Sequence, residues 1–222
     1  SEKVNSESND FYFNRAYKKA EKGDHYGAIS DYTKAIEINP NDSVSFFNRG
    51  WNKGKLKDYY GAISDYTKAI EIDPKDSVAF YNRGISKQRL KDYYGAISDN
   101  TKAIEINPQY VDAYYNRGWN KAKLNDDYGA ISDYTKAIEI DPKKNEAYYN
   151  RGNRKLDIKD YYGAISDYTK AIEINPNYYQ AYGNRGLTKS DIGDLKGACS
   201  DWRKTDSLFP NTPAAKWVRD QC

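Results

Sequence analysis

The run GAISDYTKAIEINP, from Gly27 to Pro40, returns as GAISDYTKAIEIDP at 61–74, GAISDNTKAIEINP at 95–108, GAISDYTKAIEIDP at 129–142 and GAISDYTKAIEINP at 163–176. A diverged copy, GACSDWRKTDSLFP, occupies 197–210. The interval is 34 residues each time, with no insertion. Between the copies lies a second motif: FNRA at 13–16, FNRG at 47–50, YNRG at 81–84, 115–118 and 149–152, and GNRG at 183–186. A fixed period of this length marks a stacked architecture, in which one unit cannot bury its apolar face alone and its neighbours complete it. Six registers fit: 9–42, 43–76, 77–110, 111–144, 145–178 and 179–212. Positions are counted from the first residue of each.

Each register reads as two helices, A over positions 2–14 and B over 17–30. Position 4 is always aromatic, position 20 is always Ala, and position 8 is Ala16 and then Gly in every later copy. Position 24 is Tyr32, Tyr66, Asn100, Tyr134, Tyr168 and Trp202, and position 27 is Ala up to Thr205. Small residues at 8, 20 and 27 let helix axes approach, and the rings at 4 and 24 fill the space between them. Asn100 breaks the ring column and predicts a packing weakness in the third register. Asp24, Asp58, Asp92, Asp126, Asp160 and Asp194 stand where helix B should start and suit an N-cap. Pro at position 32 lacks an N–H and ends helix B. Ser43 and Ser77 are expected to cap the following helix A. Residues 1–8, SEKVNSES, are expected to form a flexible polar lead. Thr212 and Pro213 fit an N-cap and first helical position. Ala214, Trp217, Val218 and Gln221 share one face, so 213–222 is expected to be a helix capping the last register.

This pattern resembles the tetratricopeptide-repeat (TPR) family over about nine-tenths of the chain. The resemblance implies an all-α fold, a right-handed superhelical α-solenoid of antiparallel helix pairs. It also implies a protein-protein interaction scaffold that binds a protein or peptide, with helix A lining a concave groove, and neither catalysis nor a cofactor. The family usually has Leu at position 7 and Tyr at position 11, and this chain departs from it at both. Position 7 is Arg in every register (Arg15, Arg49, Arg83, Arg117, Arg151, Arg185) and position 23 is always Asp (Asp31, Asp65, Asp99, Asp133, Asp167, Asp201), which predicts ion pairs between the two helices, within or between registers. Position 11 is always Lys, whose stem is expected to lie over aromatics at positions 17 and 18, such as Tyr59 and Tyr60, with the charge in water. Gly at position 19 is expected to serve close helix contact.

By the same resemblance, position 6 points into the groove, and here it is Asn throughout: Asn14, Asn48, Asn82, Asn116, Asn150 and Asn184. An amide donates and accepts, so it can hold a peptide backbone without reading its side chains. The column resembles the asparagine ladder in the TPR superhelix of O-linked N-acetylglucosamine transferase. Position 5 adds Phe13, Phe47, Tyr81, Tyr115 and Tyr149, and position 9 adds Trp51 and Trp119. Rings of this kind are enriched in binding hot spots. The competing reading is that the amides satisfy neighbouring helix ends and the rings pack between A helices. Position 13 runs Glu21, Lys55, Arg89, Lys123, Asp157, Asp191, a basic middle and an acidic end. The family's clamp for chaperone C-terminal tails needs Lys at position 5, and none stands there, so such tails are disfavoured.

Composition bounds the alternatives. The chain has 222 residues, of which 38% are apolar. A mean hydropathy of −1.01 would permit disorder, but 23 Tyr, 6 Phe and 4 Trp can bury large areas with few residues. The net charge of +3 argues against a dedicated nucleic-acid binder. Single-stranded RNA in a helical-repeat groove and self-association into a structural scaffold remain the rival readings. No apolar run is long enough to insert into a membrane. The single histidine, His25, replaces Tyr at position 17 and reads as a packing or surface residue. No phosphate loop, metal-ligand cluster or nucleophile–base pair is present. Two cysteines, Cys199 and Cys222, either staple the cap through a disulfide or remain two thiols. The chain starts at Ser1 without any Met, so a leader, tag or further domain is expected to have preceded it. The choice between cytoplasmic and exported stays open.

Overall fold

A computed structural model describes the backbone of residues 2–210 and 212–222, and side chains from Ser8 onward with the exception of Asn211. Among the described residues there are thirteen helices and no strands. They are α1 (Glu2–Glu21), α2 (His25–Ile38), α3 (Ser43–Lys55), α4 (Tyr59–Ile72), α5 (Ser77–Arg89), α6 (Tyr93–Ile106), α7 (Val111–Lys123), α8 (Asp127–Ile140), α9 (Asn145–Asp157), α10 (Tyr161–Ile174), α11 (Tyr179–Asp191), α12 (Leu195–Leu208) and α13 (Pro213–Gln221). The first six form one compact unit, residues 1–108, and the last seven another, residues 109–222. Inside each unit every helix packs on its neighbour in sequence, the arrangement of a TPR solenoid. None of these helices is long and apolar enough to cross a membrane.

The backbone is helical from Glu2, so residues 2–8 continue α1 where the sequence suggested a separate polar lead. Extending a helix that is already nucleated gains one hydrogen bond per residue fixed, which favours the continuation. Ser1, the first residue of that expected lead, lies outside the described residues.

Each B helix starts as the sequence reading has it. Asp24, Asp58, Asp92, Asp126, Asp160 and Asp194 accept from the N–H of Gly27, Gly61, Gly95, Gly129, Gly163 and Gly197. Those glycines serve the cap rather than a neighbouring helix, because a Cβ at Gly61 would fall on the Asp58 carboxylate. Ser43 and Ser77 do not cap: Asp42 and Asp76 do, each accepting from two backbone N–H groups. At α13, Thr212 holds the N-cap position and Pro213 follows, but the threonine side chain makes no cap bond. The turn between A and B helices passes through left-handed backbone, at Gly23 and Gly193 and also at Lys57, Lys91, Asn125 and Lys159, whose φ values are 60–63°.

Helix approach follows the small-residue columns. The alanines at position 20, from Ala28 to Ala198, are fully buried. A Cβ on Gly50 would meet the Tyr66 ring and the Ala62 carbonyl at 3.2 Å. Where Asn100 replaces the ring it is wholly buried. Its Nδ2 donates to Ala96 O at 2.8 Å. Its Oδ1 finds no partner.

The Arg and Asp columns meet within each repeat. Arg49 grips Asp65 through Nε and Nη2, at 2.9 and 2.7 Å. The same fork recurs from Arg15–Asp31 to Arg185–Asp201. Arg49, Arg83, Arg151 and Arg185 also donate Nη1 to Thr33, Thr67, Thr135 and Thr169 of the preceding repeat. The lysines at position 11 join the same carboxylates rather than lying over tyrosines: Lys19, Lys53, Lys87, Lys121, Lys155 and Lys189 each stand 2.8 Å from the Asp Oδ2. A buried carboxylate still accepting only from Arg has a vacant lone pair, and an ammonium within reach fills it.

In the second unit the sulfur atoms of Cys199 and Cys222 are bonded, with Cα atoms 5.6 Å apart. The bond joins α12 to the residue that follows α13. Beside it the Trp202 and Trp217 rings lie 5.3 Å apart, and Ala214 is buried against the same face.

Candidate functional site

The candidate residues lie on the A helices, and the structure divides them into groups with different work. At position 5 the rings pack on the position-24 rings of their own repeat. Phe13 meets Tyr32, Phe47 meets Tyr66, Tyr115 meets Tyr134 and Tyr149 meets Tyr168, with centroids 5.5–5.9 Å apart. Tyr81 is half-buried.

The asparagine column is not uniform. Asn14 is exposed. Asn48 and Asn82 turn Nδ2 back to Val44 O and Val78 O of their own helices, at 2.9 and 2.8 Å. In the second unit Asn150 donates to Tyr115 Oη of the repeat before it, at 2.7 Å. Asn184 donates to Tyr149 Oη at 3.1 Å and to Asn153 Oδ1 at 2.9 Å. Asn116 is half-buried, and its backbone carbonyl accepts from Asn120 Nδ2 at 2.7 Å. Half of each amide bonded here is therefore committed inside the protein.

The position-9 tryptophans stand in a different environment. Trp51 and Trp119 are half-buried, with Lys55 Nζ 4.6 Å and Lys123 Nζ 4.8 Å from their ring centroids. Trp51 separates two cavities of the first unit, each of about 270 Å³. One lies between α1 and α3, with Tyr17, Glu21, Phe47 and Trp51 around it and Tyr32 from α2 beneath. Burial pushes the Tyr32 phenol up to about 12, so it stays neutral. The other lies between α3 and α5, with Lys55, Arg89 and Ile85 at its walls. A third cavity, in the second unit, is bounded by Tyr149, Leu187 and the Trp217 ring of α13.

A residue absent from the sequence reading, Asn52, completes the lining of the first cavity, with His25 bonded to it from outside that lining. Asn52, buried to 1% exposure, donates Nδ2 to Asn48 O at 2.8 Å. Its Oδ1 stands 2.9 Å from His25 Nδ1, so that nitrogen carries the proton and donates. The His25 ring meets Trp51 edge-on at 5.9 Å. The signal for this was weak, because Asp127 and Leu195 also depart from Tyr at position 17 and the partner of His25 lies 27 residues away on the next A helix. Among the described residues no three His, Cys, Asp or Glu side chains gather where they could hold a metal ion.

Family models described as tetratricopeptide repeat match residues 10–42, 44–76, 65–98, 111–144, 145–178 and 167–199. The chain belongs to the tetratricopeptide-repeat family. No curated protein matches it. Among solved structures this TPR chain is similar to YrrB, described as a TPR protein with an unusual peptide-binding site. That match has a TM-score of 0.73 and 23% identity, covering 85% of this chain and 97% of the other. It is similar to MamA at a TM-score of 0.73 and 27% identity, covering 79% and 96%. PilF of Pseudomonas aeruginosa aligns over 99% of this chain and 100% of its own, at a TM-score of 0.80 and 15% identity.

Proposed function

We propose that this TPR protein is an interaction scaffold whose A-helix face receives an extended peptide segment of a partner protein. One observation carries the reading. Trp51 stands half-exposed between two ring-walled cavities, while the Arg, Lys and Asp columns behind it are consumed by ion pairs. A large ring left partly in water beside unfilled apolar volume is the composition of a hot spot. The amide Oδ1 atoms of Asn48 and Asn82 remain available to accept from a peptide N–H, since only their Nδ2 groups are committed. Similarity to YrrB, whose described property is peptide binding, adds support at the level of fold. Nothing comparable supports an enzyme.

The test is a photo-crosslinking amino acid placed at Trp51 and, separately, at Tyr60, which is 77% exposed on the B helix. In an extract of the native organism, protein adducts are expected from position 51 and not from 60. Equal adducts from both positions, or RNA adducts from position 51, would overturn the reading. A sedimentation coefficient that rises with concentration, with adducts only to the chain itself, would replace it with self-assembly.

A further inference from the structure

The cavity between α1 and α3 offers a ligand only certain kinds of contact. Four aromatic rings form it: Tyr17, Tyr32, Phe47 and Trp51. Glu21 supplies a carboxylate at its edge, and no cation pairs with that carboxylate among the described residues. The two amides that line it are committed as donors: Asn52 Nδ2 to Asn48 O, and Asn48 Nδ2 to Val44 O. Apart from the phenol hydroxyls, what remains is ring faces, the Asn48 Oδ1 acceptor and a free carboxylate. Ring faces are electron-rich and attract cations. An anion would find no charged donor here and would face the Glu21 carboxylate, and a neutral apolar group would make no use of that carboxylate.

The adjoining cavity has the opposite character. Lys55 and Arg89 line it, and neither pairs with a carboxylate among the described residues. Trp51 already holds a cation on the side of this second cavity, with Lys55 Nζ 4.6 Å from its ring centroid. The same ring lines the first cavity, where no lysine or arginine is present. A charged segment lying across α1, α3 and α5 therefore meets a cation-seeking cavity first and a cation-repelling one next.

We infer that the α1–α3 cavity is a receptor for a single arginine or lysine side chain of the bound peptide. This rests on the peptide-binding reading. The guanidinium or ammonium stacks among the Trp51, Phe47 and tyrosine rings and pairs with Glu21. Lys55 and Arg89 exclude it from the neighbouring cavity and so fix the register and direction of the segment.

Three hexapeptide mixtures test the assignment, randomised except for one fixed residue: arginine, its uncharged isostere citrulline, or glutamate. Each is titrated into the full chain while the backbone and Asn48 side-chain amide resonances of the A-helix face are followed by NMR, with Trp51 Nε1–H as a further probe in the parent. The arginine set is expected to bind about tenfold more tightly than the citrulline set, the scale of a desolvated cation–π contact with its carboxylate partner. Glu21→Gln should shrink that preference to about threefold, and Trp51→Leu should remove it. Both variants are checked for native spectral dispersion, and Glu21→Gln alters an exposed side chain that the fold does not use. If all three sets bind alike, with shifts across the A-helix face, the cation receptor is overturned and the peptide reading survives. If no set moves any resonance of that face, both fall.

Discussion

Arg49 and Asp65 meet as a fork on a fork, Nε on Oδ2 and Nη2 on Oδ1, with the Asp65 side chain 3% and the Arg49 side chain 16% exposed. Lys53 completes the site at 2.8 Å, so one buried anion holds two cations. Planar bidentate pairing explains why Arg rather than Lys fills position 7.

Asp65→Asn should therefore cost far more than the loss of one hydrogen bond. It leaves Arg49 and Lys53 facing each other with no anion between them. Removing one partner of a buried pair costs about 3 kcal/mol or more. Lys68→Ala, which removes an exposed pair with Glu71, should cost under about 0.5 kcal/mol. Urea midpoints followed by circular dichroism would separate them. Equal midpoints would mean that the Asp column does not hold the repeats together.

Gly61→Ala should destabilise, although alanine is the better helix former by up to about 1 kcal/mol. Its Cβ would displace the Asp58 carboxylate and forfeit a cap worth about 1 kcal/mol, with steric cost on top. Gly54→Ala is the control, because its Cβ would meet only Ala62 Cβ at 4.0 Å. That variant should be more stable than the parent in a calorimetric scan. A gain from Gly61→Ala would show that the cap is not worth its position.

Lys57→Gly should stabilise. Lys57 sits at φ 63°, where Gly23 and Gly193 stand in the equivalent turns of the first and last repeats. Left-handed backbone costs an L residue about 1 kcal/mol that glycine avoids, less the extra freedom glycine loses on folding. A net gain of about 0.5 kcal/mol is expected, read as a raised melting temperature, and the same should hold for Lys91→Gly and Lys159→Gly.

The fold should weaken at both ends of the pH scale. Hydrogen bonding from Arg15, with Lys19 assisting against the cost of burial, lowers the Asp31 carboxyl to about 2. A depressed carboxyl contributes stability above its unfolded value, about 4, and loses it as pH falls toward 2. Burial raises the phenols of Tyr32, Tyr66, Tyr134 and Tyr168. Their contribution is complete below about pH 10 and is lost as pH rises beyond it. A pH series of thermal scans should show a plateau between these limits. A steady fall in stability from pH 5 to 9 would contradict it.

The columns were legible because identity recurs every 34 residues, and so were Asp24 and its equivalents as caps. What each column touches was less legible. Lys53 lies twelve residues before Asp65, on another helix, so spacing alone suggested nearby tyrosines as its resting place. The Asp58–Gly61 relation was within reach of the sequence, since an N-cap bonds three residues on. The asparagines formed a visible ladder, but whether Nδ2 turns to its own helix, as at Asn82, or to a tyrosine of the preceding repeat, as at Asn150, depends on the ring at position 5 one repeat earlier.

The arginine that reaches back to a threonine makes the array directional. Each copy presents a hydroxyl downstream and a guanidinium upstream, like plug and socket. In the last copy the threonine column ends in Arg203, whose Nη2 turns instead to Cys222 O at 3.3 Å. Another copy added on that side would find a cation where its own arginine expects an acceptor. The grammar that lets identical units be concatenated thus carries its own full stop, written by Arg203 together with α13 and the Cys199–Cys222 bond that cover the same face.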